Sequence, residues 1–149
     1  MNRGKLSPAE LAAKVGEAMF EVDAASKDFL QLELVRCEPG RALMRMTVRE
    51  PMLNGHRICH GGHRHLVVAV AGKGEGGIGQ GEDQAAGCSI EFLKPAHLGD
   101  VLTCEGVEQM LQGRHGIYDM KVSNQRGEVV AMFRGKSTSI QGTVIPEDA

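Results

Sequence analysis

The second half of the chain leaves the fold the fewest choices. From residue 88 onward, apolar positions alternate in four runs, 88–93, 101–110, 117–122 and 129–137. Short turns at Leu98-Gly99, 113–116 and 124–127 separate them. Period-two runs joined by tight turns make an antiparallel meander, because neighbouring strands connected so briefly can only run back along each other. A second pair precedes it. Leu30, Leu32 and Leu34 alternate with Gln31 and Glu33, the turn Glu38-Pro39-Gly40-Arg41 follows, and Ala42, Met44, Met46 and Val48 alternate in turn, which predicts a hairpin.

A sheet of this kind needs a helix to cover its apolar face. At the N-terminus, Ser7-Pro8-Ala9-Glu10 has the form of a capping box with proline at the first helical position, and Leu11, Val15 and Met19 recur at helical spacing. That predicts a short N-terminal helix. The covering helix must come from the middle of the chain. The expected architecture is α+β, in one domain over residues 1–149 with its ordered core at about 7–142, since 149 residues suit one core better than two.

Charge and cysteine usage narrow the partners. Seventeen Lys and Arg against nineteen Asp and Glu, with no basic run, give no electrostatic reason to expect nucleic acid or an anionic membrane. No stretch approaches the roughly 20 apolar residues that span a bilayer, and the N-terminus has no apolar core of signal-peptide length. A cytoplasmic protein is expected. Cys37, Cys59, Cys88 and Cys104 are scattered without a CxxC pair, so free thiols are expected rather than a disulfide framework or a cysteine-rich zinc site.

Chemistry concentrates in one stretch. NGHRICHGGH, residues 54–63, holds three glycines and three histidines in ten residues, directly before the segment where a core helix is needed. A helix starting near Gly61 would aim N–H groups without intrahelical acceptors at whatever lies over its end, and glycine allows close approach. Such donors suit a carbonyl oxygen that becomes an oxyanion.

Three motifs together, MLNGHRICHGGH at 52–63, GCSIEFLKPAHLGDVL at 87–102 and GIYDMKVSNQRGEVVAMFRGKS at 116–137, resemble the phenylacetate-degradation branch of the hotdog-fold acyl-coenzyme A thioesterases. With the hairpin, the likeness covers most of residues 20–142. It implies an antiparallel sheet wrapped around one long central helix, and a homodimer or homotetramer with sites at the dimer interface. It also implies hydrolysis of an aryl-acetyl-coenzyme A such as phenylacetyl-coenzyme A or a ring-hydroxylated form, in phenylacetate catabolism. Coenzyme A is part of the substrate, and neither cofactor nor metal is expected. By the same resemblance the Gly61 amide meets the thioester oxygen, Asn54 and His60 shape the pocket, and a helix aspartate eight residues after the glycine acts as general base or nucleophile. That last position is Ala69 here.

The departure extends beyond one residue. Residues 65–81, HLVVAVAGKGEGGIGQG, stand where the central helix should be, with six glycines between 72 and 81. In a helix that set costs about 3 to 6 kcal/mol relative to alanine, against about 5 to 15 kcal/mol for the stability of a whole domain. The complementary DNA strand across residues 64–83, read backwards in the standard code, admits Ile-Phe-Thr-Leu-Ala-Asp-Ser-Ala-Phe-Ala-Phe-Ala-Cys-Asn-Ser over positions 64–78. That is an apolar helix whose aspartate falls on position 69, so an inversion of the coding segment accounts for both anomalies. Taken as written, the residues suggest instead a catalytically dead protein that only binds acyl-coenzyme A.

Other readings compete locally. Residues 72–77 match G-x-G-x-x-G, which admits a nucleotide-binding loop at 72–81, but no helix-like run and no βαβ alternation follow. His56, His60, His63 and His65 with Cys59 admit a metal cluster, yet the glycines argue for a loop without helical pairing. There is no Gly-x-Ser-x-Gly elbow, and Cys59 suits a neutral buried thiol better than a nucleophile. Arg134 and Lys136 could meet a coenzyme A phosphate or merely lie on a solvated strand edge, and Met44, Met46, Met120 and Met132 read as core.

Overall fold

The computed structural model describes residues 6–62 and 81–143, the latter by backbone alone at 81–84 and 141–143. The expected central helix and Ala69 fall in 63–80, outside the described residues. Helix α1 spans Pro8–Glu21. Its box is complete: the Ser7 hydroxyl accepts from the Glu10 N–H, and the Glu10 carboxylate accepts from the Ser7 N–H at 2.8 Å. The helix packs on β1 (Glu33–Glu38) at Gly16, where a Cβ would stand 2.8 Å from the Cys37 Sγ. A side chain there would push α1 off the sheet.

The remaining strands are β2 (Arg41–Thr47), β3 (Gly81–Phe92), β4 (Val101–Gln112), β5 (His115–Ser123) and β6 (Val129–Thr143). All pairings are antiparallel, in the order β1-β2-β4-β5-β6-β3. Three of the four expected runs form the meander β4-β5-β6, but β3 does not pair with β4 across the Leu98-Gly99 turn as expected, because β2 takes that place beside β4. β3 turns back to pair with β6, and it opens at Gly81, so a helix drawn as far as Gly81 overruns the strand.

Cross-strand register collects the core on one face. The row Met44, Cys104, Val122, Ala131, Phe92 and the row Ala42, Gly106, Met120, Phe133, Ile90 run across five strands each. Most of these residues are buried. Met132 lies on the opposite face, 43% exposed, because Phe133 is the residue opposite inward-facing Met120; the expectation of a core Met132 fails on that parity. The first strand also starts later than Leu30. Leu30 and Leu32 are buried, but Ala25–Phe29 forms a π-turn and Gln31 takes φ +53°, which breaks the extended backbone before Glu33.

None of the four cysteines is in a disulfide. Among the described residues, no helix is long and apolar enough to cross a membrane.

Candidate active site

The stretch between β2 and the middle segment is built as a closed loop on two anchors. After the 3-10 turn Glu50–Met52, an isolated bridge joins Leu53 to Cys59. Within it the Asn54 N–H donates to the Ile58 carbonyl at 2.9 Å, and the Asn54 Oδ1 accepts from the His56 N–H at 2.9 Å and the Ile58 N–H at 3.3 Å. Asparagine suits this position because its short side-chain carbonyl can replace a backbone acceptor inside a turn. Arg57, at φ +57°, completes the reversal in the left-handed region. Asn54 thus shapes the loop from inside.

The two anchors are backbone contacts. Cys59, fully buried, donates its N–H to the Ala96 carbonyl at 2.7 Å, and Ile58 bridges to His97; the His60 N–H donates to the Met52 carbonyl at 2.8 Å. Burial of the Cys59 side chain fits a packing role.

Immediately after the anchors the chain turns helical at Gly61 and Gly62. His60 caps this turn, its Nδ1 accepting the Gly62 N–H at 3.1 Å, so the neutral ring carries its proton on Nε2. Gly61 takes the first helical position, where the N–H has no intrahelical acceptor. Among the described residues nothing else accepts from it. A Cβ on Gly61 would lie 3.3 Å from the Phe92 ring, which sits at the end of β3 and is 44% exposed. The arrangement presents one N–H, at the positive end of a helical turn, beside an aromatic face. Phe92 was not among the residues expected at the site; its sequence signal was only an aromatic ending an apolar run.

The bend 94–100 that carries Ala96 is stiffened by carboxylates. Burial pushes the Asp100 carboxyl up, but hydrogen bonds from the His97 N–H and the Gln125 amide, with the charge of Arg126, outweigh it and hold it below its ordinary value. Glu128 falls to about 2 under the Asn124 amide first, then Lys94 and Arg126. Asp119 is lowered chiefly by Arg134, whose Nε and Nη2 reach its two oxygens at 2.6 and 2.7 Å. All three carboxyls sit below their unfolded values, so their stabilisation is complete above the ordinary carboxylate range and is lost as pH falls from that range through the lower folded values. Urea midpoints should accordingly stay level from about pH 7 to about pH 5 and drop below about pH 4.5. Glu128→Gln should make that drop shallower.

Arg134 is thus engaged by Asp119, and β6 lies between β5 and β3, so Arg134 and Lys136 occupy an exposed sheet face and not a strand edge. Among the described residues no group of His, Cys, Asp or Glu converges as a metal site. His63, His65 and the glycine motif at 72–77 lie outside the described residues.

A six-stranded antiparallel sheet with an N-terminal helix packed on it, and a glycine-histidine loop leading into a helical turn, matches the hotdog-fold thioesterases. Over 92% of its length the chain matches the structure of the Escherichia coli PaaI protein from the phenylacetic acid degradation operon, covering 99% of that chain, with a TM-score of 0.88 and 36% identity. The acyl-coenzyme A thioesterase PaaI of E. coli is 37% identical over 136 residues, 87% of this chain and 92% of that protein. A mutant of the phenylacetic acid degradation protein PaaI from Thermus thermophilus matches 76% of this chain and 97% of its own, with a TM-score of 0.68 and 25% identity. No family model matches the chain. The protein belongs to the PaaI family of acyl-coenzyme A thioesterases, which are hydrolases.

Proposed function

We propose that the chain hydrolyses an aryl-acetyl-coenzyme A, phenylacetyl-coenzyme A or a ring-hydroxylated form of it, to the free acid and coenzyme A. The observation that carries the chemistry is the Gly61 N–H, placed at the first helical position by the His60 cap and the Met52 and Ala96 anchors. A thioester oxygen on that donor gains most as it becomes an oxyanion. By the resemblance, an acid at position 69 would take a proton from the attacking water, or would attack the acyl carbon to give a mixed anhydride that water then hydrolyses. Either way the carbon–sulfur bond breaks and coenzyme A leaves as the thiol. Position 69, where the resemblance puts that acid, is Ala69.

The operon of the E. coli relative supports the aryl-acetyl group, and the Phe92 ring beside Gly61 offers a flat apolar wall for it. The oligomer we propose is a dimer or tetramer with sites at the dimer interface. β3 supports it, since among the described strands it is paired on one side only, and residues 85–89 are exposed. We place the enzyme in the cytoplasm.

The test is a panel of thioesters assayed for coenzyme A release. Phenylacetyl- and hydroxyphenylacetyl-coenzyme A should give the highest kcat/KM; equal or better turnover of short aliphatic thioesters would reject the aryl assignment. Ala69 favours a second reading, an acyl-coenzyme A binder without turnover. Saturable binding with no hydrolysis, by source protein whose mass matches residues 64–83 as written, would support that reading.

A further inference from the structure

Asp100 is a buried acid close to the loop that no step above uses. Its residue exposure is 5%, yet both carboxylate oxygens are occupied: Oδ2 accepts from the His97 N–H at 2.9 Å, and Oδ1 accepts from the Gln125 Nε2 at 2.8 Å, with Arg126 Nη1 at 3.6 Å. Gln125 is held in turn, its Oε1 accepting the Val101 N–H at 3.0 Å. The Asp100 backbone closes the bend on itself by donating to the His97 carbonyl, and its own carbonyl accepts from the Val48 N–H at 2.9 Å.

We propose that Asp100, locked by Gln125, is a positioning residue that sets the height and angle of the Gly61 amide through the bend 94–100. The inference rests on the reading of Gly61 as the carbonyl donor. The path is short and made of backbone. Asp100 fixes His97 and hence Ala96; Ala96 receives the Cys59 N–H; two residues later comes Gly61. The opposite anchor, Met52, follows Val48, which pairs with both Asp100 and Gly99. Both supports of the loop therefore refer to one crossing. A carboxylate is required because an asparagine offers a single acceptor atom, so one of the two donors would face an NH2 group. Geometry at a reacting carbonyl tolerates little, and a displacement of about 1 Å can cost on the order of a hundredfold.

The experiment uses the full chain, its Gln125→Ala variant and its Asp100→Asn variant. Two inert probes are titrated by calorimetry: phenylacetyl-coenzyme A with the thioester sulfur replaced by CH2, which keeps the carbonyl, and the thioether that lacks it. Gln125 is exposed, so its alanine variant should keep the fold even where Asp100→Asn does not. The parent should prefer the ketone. The expected result is that Gln125→Ala loses that preference by about fivefold, the scale of one hydrogen bond between neutral groups, with thioether affinity unchanged. Amide exchange at Cys59 should quicken while exchange in β5 does not. An unchanged preference in folded Gln125→Ala, or equal losses on both probes, overturns the proposal. A parent that binds neither probe overturns the reading beneath it as well.

Discussion

Replacing residues 64–83 by the complementary-strand reading, which includes Ala69→Asp, should raise the rate of phenylacetyl-coenzyme A hydrolysis on the order of a hundred- to ten-thousandfold over the chain as written. The magnitude is that of a positioned general acid or base. Two parts of the change act together. The acid returns to the helix position eight residues after Gly61, and six glycines, costing about 3 to 6 kcal/mol in a helix, give way to residues that favour one. The single substitution Ala69→Asp separates the two effects, because it supplies the acid and leaves the glycines. A gain from the full replacement that Ala69→Asp does not share would assign the larger part to the helix. No gain from either would remove the acid from the mechanism.

Gly61→Pro should lower kcat on the order of a hundred- to a thousandfold, the loss seen when one oxyanion donor is removed. Proline deletes that N–H and is well tolerated at the first helical position, where no intrahelical bond is given up. Gly61→Ala is the control. It keeps the N–H but places a Cβ 3.3 Å from the Phe92 ring, so the ring must shift by a few tenths of an ångström. Its loss should be smaller and should fall more on KM than on kcat. Equal kcat for Gly61→Pro and the parent, both folded, would take the amide out of the chemistry.

Local features were the legible ones. Ser7 and Glu10 could be read as a capping box because both partners lie within one helical turn, and the tight turns of the meander are set by neighbouring residues. Strand parity was harder. Met132 looks like Met44 and Met46 within its own strand, but its direction is decided by the pairing of Phe133 with Met120 across the sheet. Leu30 and Leu32 kept a strand-like alternation of burial through a turn, because both reach the core from irregular backbone.

The site divides the same way. Asn54, His60 and Gly61 were visible as a cluster in ten residues, and the structure joins them in one loop. The loop's supports were invisible, since Ala96, Asp100 and Phe92 arrive from a segment more than thirty residues away. FLKPAHLGD carried turn chemistry and part of the family resemblance as a sequence; its contact with Cys59 appears only when β2 and β4 are laid side by side.

The central claim, a thioesterase that polarises its substrate's carbonyl on the Gly61 loop, is tested most directly by the rate of coenzyme A release from phenylacetyl-coenzyme A. The assay should use protein purified from its own cells, with its intact mass determined on the same sample. The account predicts turnover that saturates with substrate and a mass that departs from residues 64–83 as written, a mass that agrees with them removing the inversion. A protein of the predicted, departing mass that releases no thiol above the uncatalysed rate would contradict it.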